Sequence, residues 1–285
     1  MKVANTQATG YYFAPPSKWP VVGSTALFFM ASGGVLLFND HSVGWISLAL
    51  GLAIFIYMLF GWFGTVIRES EGGLFNPQVD RSFRWAMSWF IFSEVMFFAA
   101  FFGALFYARQ LSVPWLGDAD NKLLWPNFAG HWPTSGPYLP KEFSPMHAWG
   151  IPAINTLLLL SSGVTVTWAH WALKKNDRHN LILGLTFTIL LGVLFLALQA
   201  FEYGHAYSEL NLKLTTGVFG STFFMLTGFH GFHVTMGATM LIVILFRCVA
   251  GHFRPDHHFG FEAVSWYWHF VDVVWLGLFI FVYWL

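Results

Sequence analysis

Apolar residues fill this chain in seven long runs, each closed by a short polar, proline- or glycine-containing exit. The runs lie at roughly Pro20–Phe38, Gly44–Ile67, Trp85–Tyr107, Ile151–Leu173, Leu181–Tyr203, Leu214–Phe246 and Phe259–Leu285. A helix of about 20 residues crosses the hydrocarbon core of a bilayer, so every run is long enough to span it. Lipid offers no water to backbone N–H and C=O groups, which leaves the helix as the structure for such runs. The pattern therefore predicts an all-α polytopic membrane protein with seven transmembrane helices in a single membrane domain over residues 1–285. At ~1.5 Å per residue the sixth run is about 50 Å long and must tilt or protrude.

The exits differ in kind. Asn39-Asp40-His41-Ser42 reads as a tight turn, and Arg68-Glu69-Ser70-Glu71-Gly72-Gly73 as a polar exit punctuated by glycine. Residues 1–19 are polar or broken by proline. The only long loop, residues 109–148, holds six of the twelve prolines and carries Trp115, Trp125 and Trp132, with Trp149 at its end. Tryptophan favours the headgroup level, so this segment is expected to form an ordered cap there. No long repeat is visible.

Composition agrees with the pattern. The chain is 56% hydrophobic and 10% charged, where a soluble domain has about a quarter of its residues charged. Zero net charge gives no reason to expect nucleic acid. The one cysteine, Cys248, excludes an internal disulfide and a Cys-rich metal site. No cleavable signal is apparent. Phosphate-loop, dinucleotide, HExxH and CxxC motifs are absent. Ten of the fourteen Lys and Arg lie in the segments on the N-terminal side of the membrane: Lys2, Lys18, Arg68, Arg81, Arg84, Lys174, Lys175, Arg178, Arg247 and Arg254. The positive-inside rule then places the N-terminus in the cytoplasm, or the matrix of a mitochondrion, and the C-terminus opposite. That arrangement needs an odd number of spans, as seven is.

Candidate chemistry lies in the ionisable residues inside the runs, which are costly against lipid and should face protein or enclosed water. In the seventh run Glu262 and His269 share nearly one face, with Asp272 a turn beyond His269. Glu94 sits mid-span in the third run. It reads either as a proton-conducting site or as a neutral acid bonded to a neighbouring helix. Glu202, at the end of the fifth run with Gln199 and His205, is expected near the outer surface in an interfacial pair. His230 and His233, one turn apart in GFHGFH, could share a metal or ligate heme if other helices supplied partners. The simpler reading is interhelical hydrogen bonding, with Gly228 and Gly231 permitting close approach. His257-His258 reads as a boundary pair.

Three runs together resemble a known family. They are SSGVTVTWAH (161–170), GVFGSTFFMLTGFHGFHV (217–234) and HHFGFEAVSWYWHFVDVVW (257–275), supported by VIRES (66–70), SEVMFF (93–98) and LQAFEY (198–203). They are similar to subunit III of cytochrome c oxidase, the heme–copper terminal oxidase. The resemblance implies a subunit with no catalytic residues and no metal of its own, the hemes and copper lying in partner subunits I and II. It implies that helices one and two splay from the other five, with phospholipids in the cleft. It implies direct contact with subunit I, stabilisation of that subunit, support of proton uptake and oxygen access through lipid. The complex would oxidise cytochrome c, reduce oxygen and pump protons across a bacterial cytoplasmic or mitochondrial inner membrane. Trp62, Arg68, Glu69 and Arg247 match lipid-headgroup positions, and Glu94 the family's buried glutamate. The guanidinium fork suits phosphate. Alternatives are the matching subunit of a quinol oxidase, whose members usually have five spans, and an independent proton transporter. A further alternative is a heme-binding electron carrier using His230, His233 and His269.

Overall fold

The structure, a computed structural model, describes residues 15–138 and 142–285, so Lys2 and Lys141 of the charge count lie outside it. Seven helices are long and apolar enough to cross a membrane: α1 (Trp19–Phe38), α2 (Gly44–Glu71), α3 (Pro77–Tyr107), α4 (Ile151–Lys174), α5 (Arg178–Ser208), α6 (Val218–Ala250) and α7 (Phe259–Leu278). There is no strand among the described residues; Arg254 and His257 form an isolated bridge. Large side chains such as Phe38, Trp85, Trp89 and Phe246 are exposed along the helix flanks, far beyond what a water-soluble surface carries. Lipid is the solvent that accounts for them.

Several boundaries depart from the sequence pattern. The polar exit of the second run stays helical to Glu71. Helix α3 starts at Pro77 rather than Trp85, because Asn76 Oδ1 accepts from the N–H groups of Gln78 and Val79 and proline suits the first turn. It also continues through a π-helical stretch, Ala108–Ser112, to Leu116, so the long loop is shorter than expected. Helix α6 starts at Val218 rather than Leu214. Gly217 has φ 101°, and a β-carbon there would fall 1.9 Å from the Ser135 carbonyl oxygen. Past the seventh helix proper, Phe279–Trp284 is also π-helical.

The chain divides into two compact units, meeting at Phe83 and Arg84. In the first, α1 and α2 form a hairpin whose backbones touch. A β-carbon on Gly33 would lie 2.7 Å from the Leu48 amide nitrogen, and one on Gly51 2.6 Å from that of Met30. The close approach lets Ser47 donate to the Phe29 carbonyl at 2.8 Å and brings Ser32 Oγ within 3.1 Å of Ser47 Oγ.

The second unit is built on α7. Trp268 is fully buried. Its indole edge occupies the space where β-carbons of Gly192 on α5 and Gly237 on α6 would stand, 2.7 and 2.8 Å away. Its Nε1–H donates to Ser162 Oγ on α4 at 2.8 Å. One side chain thus fixes α7 to three helices. Trp275, two turns on, donates to Thr156 Oγ1 of α4 at 2.9 Å. The expected close approach at Gly228 and Gly231 is not found: nothing lies within 4 Å of a β-carbon on Gly231, and only the Tyr203 hydroxyl, at 3.7 Å, near Gly228. Tight packing needs a neighbour with a rigid bulky group, and α6 meets one at Gly237.

The long loop caps the α5–α6 corner. Phe219 packs against Trp132 and Phe143, its N–H reaches the Thr134 carbonyl, and the Ser144 N–H reaches that of Leu210. At the other end of α5, Asp177 is the N-cap and accepts from the Asn180 backbone and side chain at 3.2 and 2.6 Å. The Asn180 side-chain bond, then its backbone bond, hold the carboxyl below the usual carboxylate range. A lowered native value means that the cap is fully formed above the ordinary carboxylate pKa and is lost as pH falls through the native one. Protection of the Asn180 amide against hydrogen exchange, taken relative to its unstructured rate at each pH, should therefore fall on acidification in the wild type and be low at every pH in Asp177→Ala.

Candidate functional site

The ionisable residues of α7 share the face that the sequence assigned them, and that face meets α4. Glu262 reaches His170, His269 Nε2 lies 3.2 Å from Thr167 Oγ1, and the Asp272 carboxylate fills the space left by Gly163, 2.4 Å from where a β-carbon would stand. Thr167 already donates to the Gly163 carbonyl, so it accepts from His269 Nε2–H. His269 Nδ1 then faces Asp272 Oδ2 at 3.7 Å.

Glu94 and His233 meet. Glu94 Oε2 lies 2.8 Å from His233 Nε2, and His233 Nδ1 lies 2.6 Å from the Phe229 carbonyl oxygen. A carbonyl only accepts, so Nδ1 carries a proton. One further proton lies between Glu94 and Nε2, as a neutral acid donating to imidazole or as carboxylate and imidazolium. Either form is neutral overall, which is what a low-dielectric site tolerates. The bond ties α3 to α6.

His230 turns elsewhere. Its Nε2 donates to the Val271 carbonyl on α7 at 3.1 Å, and its ring packs among Phe195 and Trp275. The two histidines of GFHGFH thus serve different helices, and His269 serves a third. They do not converge.

Glu202 is 1% exposed, on α5, which runs on to Ser208. Its carboxyl lies beside the Tyr283 hydroxyl. Tyr283 accepts from Gln199 Nε2 at 3.4 Å, and Gln199 Oε1 accepts from Asn155 Nδ2 at 3.5 Å. His205 pairs instead with Glu209, at 3.3 Å.

The headgroup candidates fall in both units. Trp62 and Arg68 are exposed on α2, where Trp62 stacks on Phe63 and Arg68 donates to Thr65 Oγ1 at 3.3 Å. Glu69 is half-buried on the next position. In the second unit Arg247 closes α6 with its guanidinium 4.3 Å over the Phe253 ring.

One cluster was only half visible from the amino-acid order. Among the described residues, His170, His258 and Glu262 bring three potential ligand atoms within 4.8 Å of one another. Arg84 pairs with the other oxygen of Glu262 and lies over Phe259. The local signal was the one-turn spacing of His258 and Glu262; His170 is 88 residues from His258, and no periodicity links them.

Comparison with known proteins follows the same lines. The family model of cytochrome c oxidase subunit III matches residues 9–285. Cytochrome c oxidase subunit 3 of Scyliorhinus canicula is 44% identical over 279 residues, 98% of each chain. The proteins of that name from Squalus acanthias and Loxodonta africana are 43% and 42% identical over the same shares. A seven-helix membrane protein with these bonded polar pairs, matched over this length, belongs to the cytochrome c oxidase subunit III family. It is a subunit of an oxidoreductase complex of the respiratory chain.

Proposed function

We propose that this chain is a non-catalytic, stabilising subunit of a proton-pumping cytochrome c oxidase. Hemes and copper reside in subunits I and II, and this chain packs against subunit I, holds phospholipid and supports proton uptake and oxygen access. The observation that carries the reading is how the polar residues inside the membrane are used. Glu94, His233, His230 and His269 each enter a bond from one helix to another, which is the work of a scaffold. Its N-terminal side faces the cytoplasm or matrix, on the charge argument above. The exposed guanidinium of Arg68 supports a phosphate headgroup at the end of α2, and the partly exposed Arg247 supports one at the end of α6.

The test is the oxidase purified with Arg68→Ala and Arg247→Ala together. Bound phospholipid should fall and the enzyme should lose activity sooner during sustained turnover, with initial turnover and heme spectrum unchanged. Phospholipid content equal to wild type would remove the lipid assignment, and an altered heme spectrum would remove the non-catalytic one.

A further inference from the structure

Where the end of α4 meets the start of α7, three side chains present ligand atoms to one point. His170 Nε2 and His258 Nε2 are 3.4 Å apart, His170 Nε2 and Glu262 Oε1 3.5 Å, and His258 Nε2 and Glu262 Oε1 3.3 Å. These are the edges of a triangle, and their length is informative. Zinc holds imidazole nitrogen at about 2.0–2.1 Å and carboxylate oxygen at about 2.0–2.2 Å, almost always in a tetrahedron. The edge of a tetrahedron is about 1.63 times its centre-to-vertex distance, which gives about 3.3–3.5 Å for those bond lengths. All three observed edges fall on that value. We propose that His170, His258 and Glu262 are three ligands of a site for a divalent transition metal, with zinc the best match.

The surroundings prepare the same atoms. His258 Nδ1 lies 3.1 Å from the Arg254 carbonyl oxygen, which only accepts. Nδ1 therefore carries the proton, and in the neutral ring Nε2 keeps its lone pair for a metal. Without a cation that lone pair faces a carboxylate oxygen, two acceptors at contact distance that need a proton or a metal between them. Arg84 takes the second carboxylate oxygen, Oε2, and so orients Oε1 toward the two rings, as hydrogen-bonded partners of ligating carboxylates do. The side chains are 18%, 9% and 11% exposed for His170, His258 and Glu262, which shields the site yet leaves a way in. Two imidazoles and one carboxylate favour zinc over magnesium or calcium, which prefer all-oxygen shells. Three protein ligands leave the fourth vertex to water. Glu262 and His258 come from one turn of α7 and its approach, His170 from α4, so the metal would lock this end of the α4–α7 pair.

The test uses the full chain purified in detergent and stripped with a chelator, so it does not depend on the oxidase assignment. Titration with Co2+ should show one saturable site with the intense visible d–d bands of four-coordinate cobalt, bleached by one equivalent of Zn2+. His258→Asn and Glu262→Gln should each weaken binding at least tenfold, while His41→Asn, in the α1–α2 turn, should not. Far-UV circular dichroism checks that the variants keep their helices. The wild-type titration stands without them: no saturable binding, or the weak bands of six-coordinate cobalt, overturns the site. So does full affinity in folded His258→Asn and Glu262→Gln, and in the first case a proton alone bridges the cluster.

Discussion

Trp268→Ala should lower the stability of the second unit by about 3 kcal/mol, near the bottom of the about 3–5 kcal/mol seen for large aromatic truncations in water-soluble cores. Part of that range comes from moving a side chain out of water. In lipid the separated helix already sits in an apolar medium, so that part is small. What remains is the cavity and the hydrogen bond. The cavity is severe, because two of the residues against the ring are glycines: Gly192 and Gly237 offer no side chain to collapse into the void. The hydrogen bond is the smaller share. Ser162 still donates to the Leu159 carbonyl at 2.6 Å and loses only the indole N–H. Trp268→Phe keeps most of the ring and should cost about 1 kcal/mol for the bond, plus a modest packing loss. The check is denaturation of the purified chain in mixed detergent micelles. Midpoints that are equal for the two variants would show that Trp268 acts through its N–H and not through its bulk.

Gly51→Leu should part the α1–α2 hairpin. The obstacle is backbone: the new β-carbon would stand 2.6 Å from the Met30 amide nitrogen and 2.9 Å from the Ala26 carbonyl oxygen. Neither atom belongs to a side chain that can rotate away. Overpacking typically costs about 1–3 kcal/mol, which is about five- to 150-fold in the closed population of the pair. The readout is a disulfide between Ser32→Cys and Ser47→Cys, whose oxygens are 3.1 Å apart. The cross-link should form readily in the parent and fall severalfold with Gly51→Leu. Gly34→Leu is the control, since nothing lies within 4 Å of a β-carbon there. Equal loss with both would point to helix propensity or insertion as the cause, and no loss with Gly51→Leu would mean that the backbones need not touch.

The number and type of elements were legible because apolar run length is a one-dimensional property. The face of α7 was legible too, since Glu262, His269 and Asp272 recur at helical spacing and must avoid lipid. Helix ends were less so. Asn76 as a cap and Gly217 as a break act through hydrogen bonds and close contacts that hydropathy does not register. Pairing across helices was least legible. The partner of Glu94 was not legible, because His233 stands on another helix 139 residues away. His258 read as a boundary residue because His170 belongs to another helix. Gly228 and Gly231 drew notice by repetition, whereas Gly192, Gly237 and Gly51 matter through what lies across from them. The surroundings of Glu202 were not legible either, since Tyr283 comes from the far end of the chain and His205 pairs with Glu209.

The hydroxyls of α4 have a bearing on the order in which the chain enters the membrane. Thr156, Ser162 and Thr167 each donate to a carbonyl of their own helix, those of Pro152, Leu159 and Gly163, and each accepts from α7, through Trp275, Trp268 and His269. During synthesis α4 emerges about a hundred residues before α7. These three hydroxyl hydrogens are satisfied from the moment the helix forms, so each can wait in lipid already bonded. Only acceptor lone pairs stay vacant, and these tolerate solitude better than an unpaired donor does. The helix that brings Glu262 and Asp272 arrives last, when the row of acceptors that receives it is already standing.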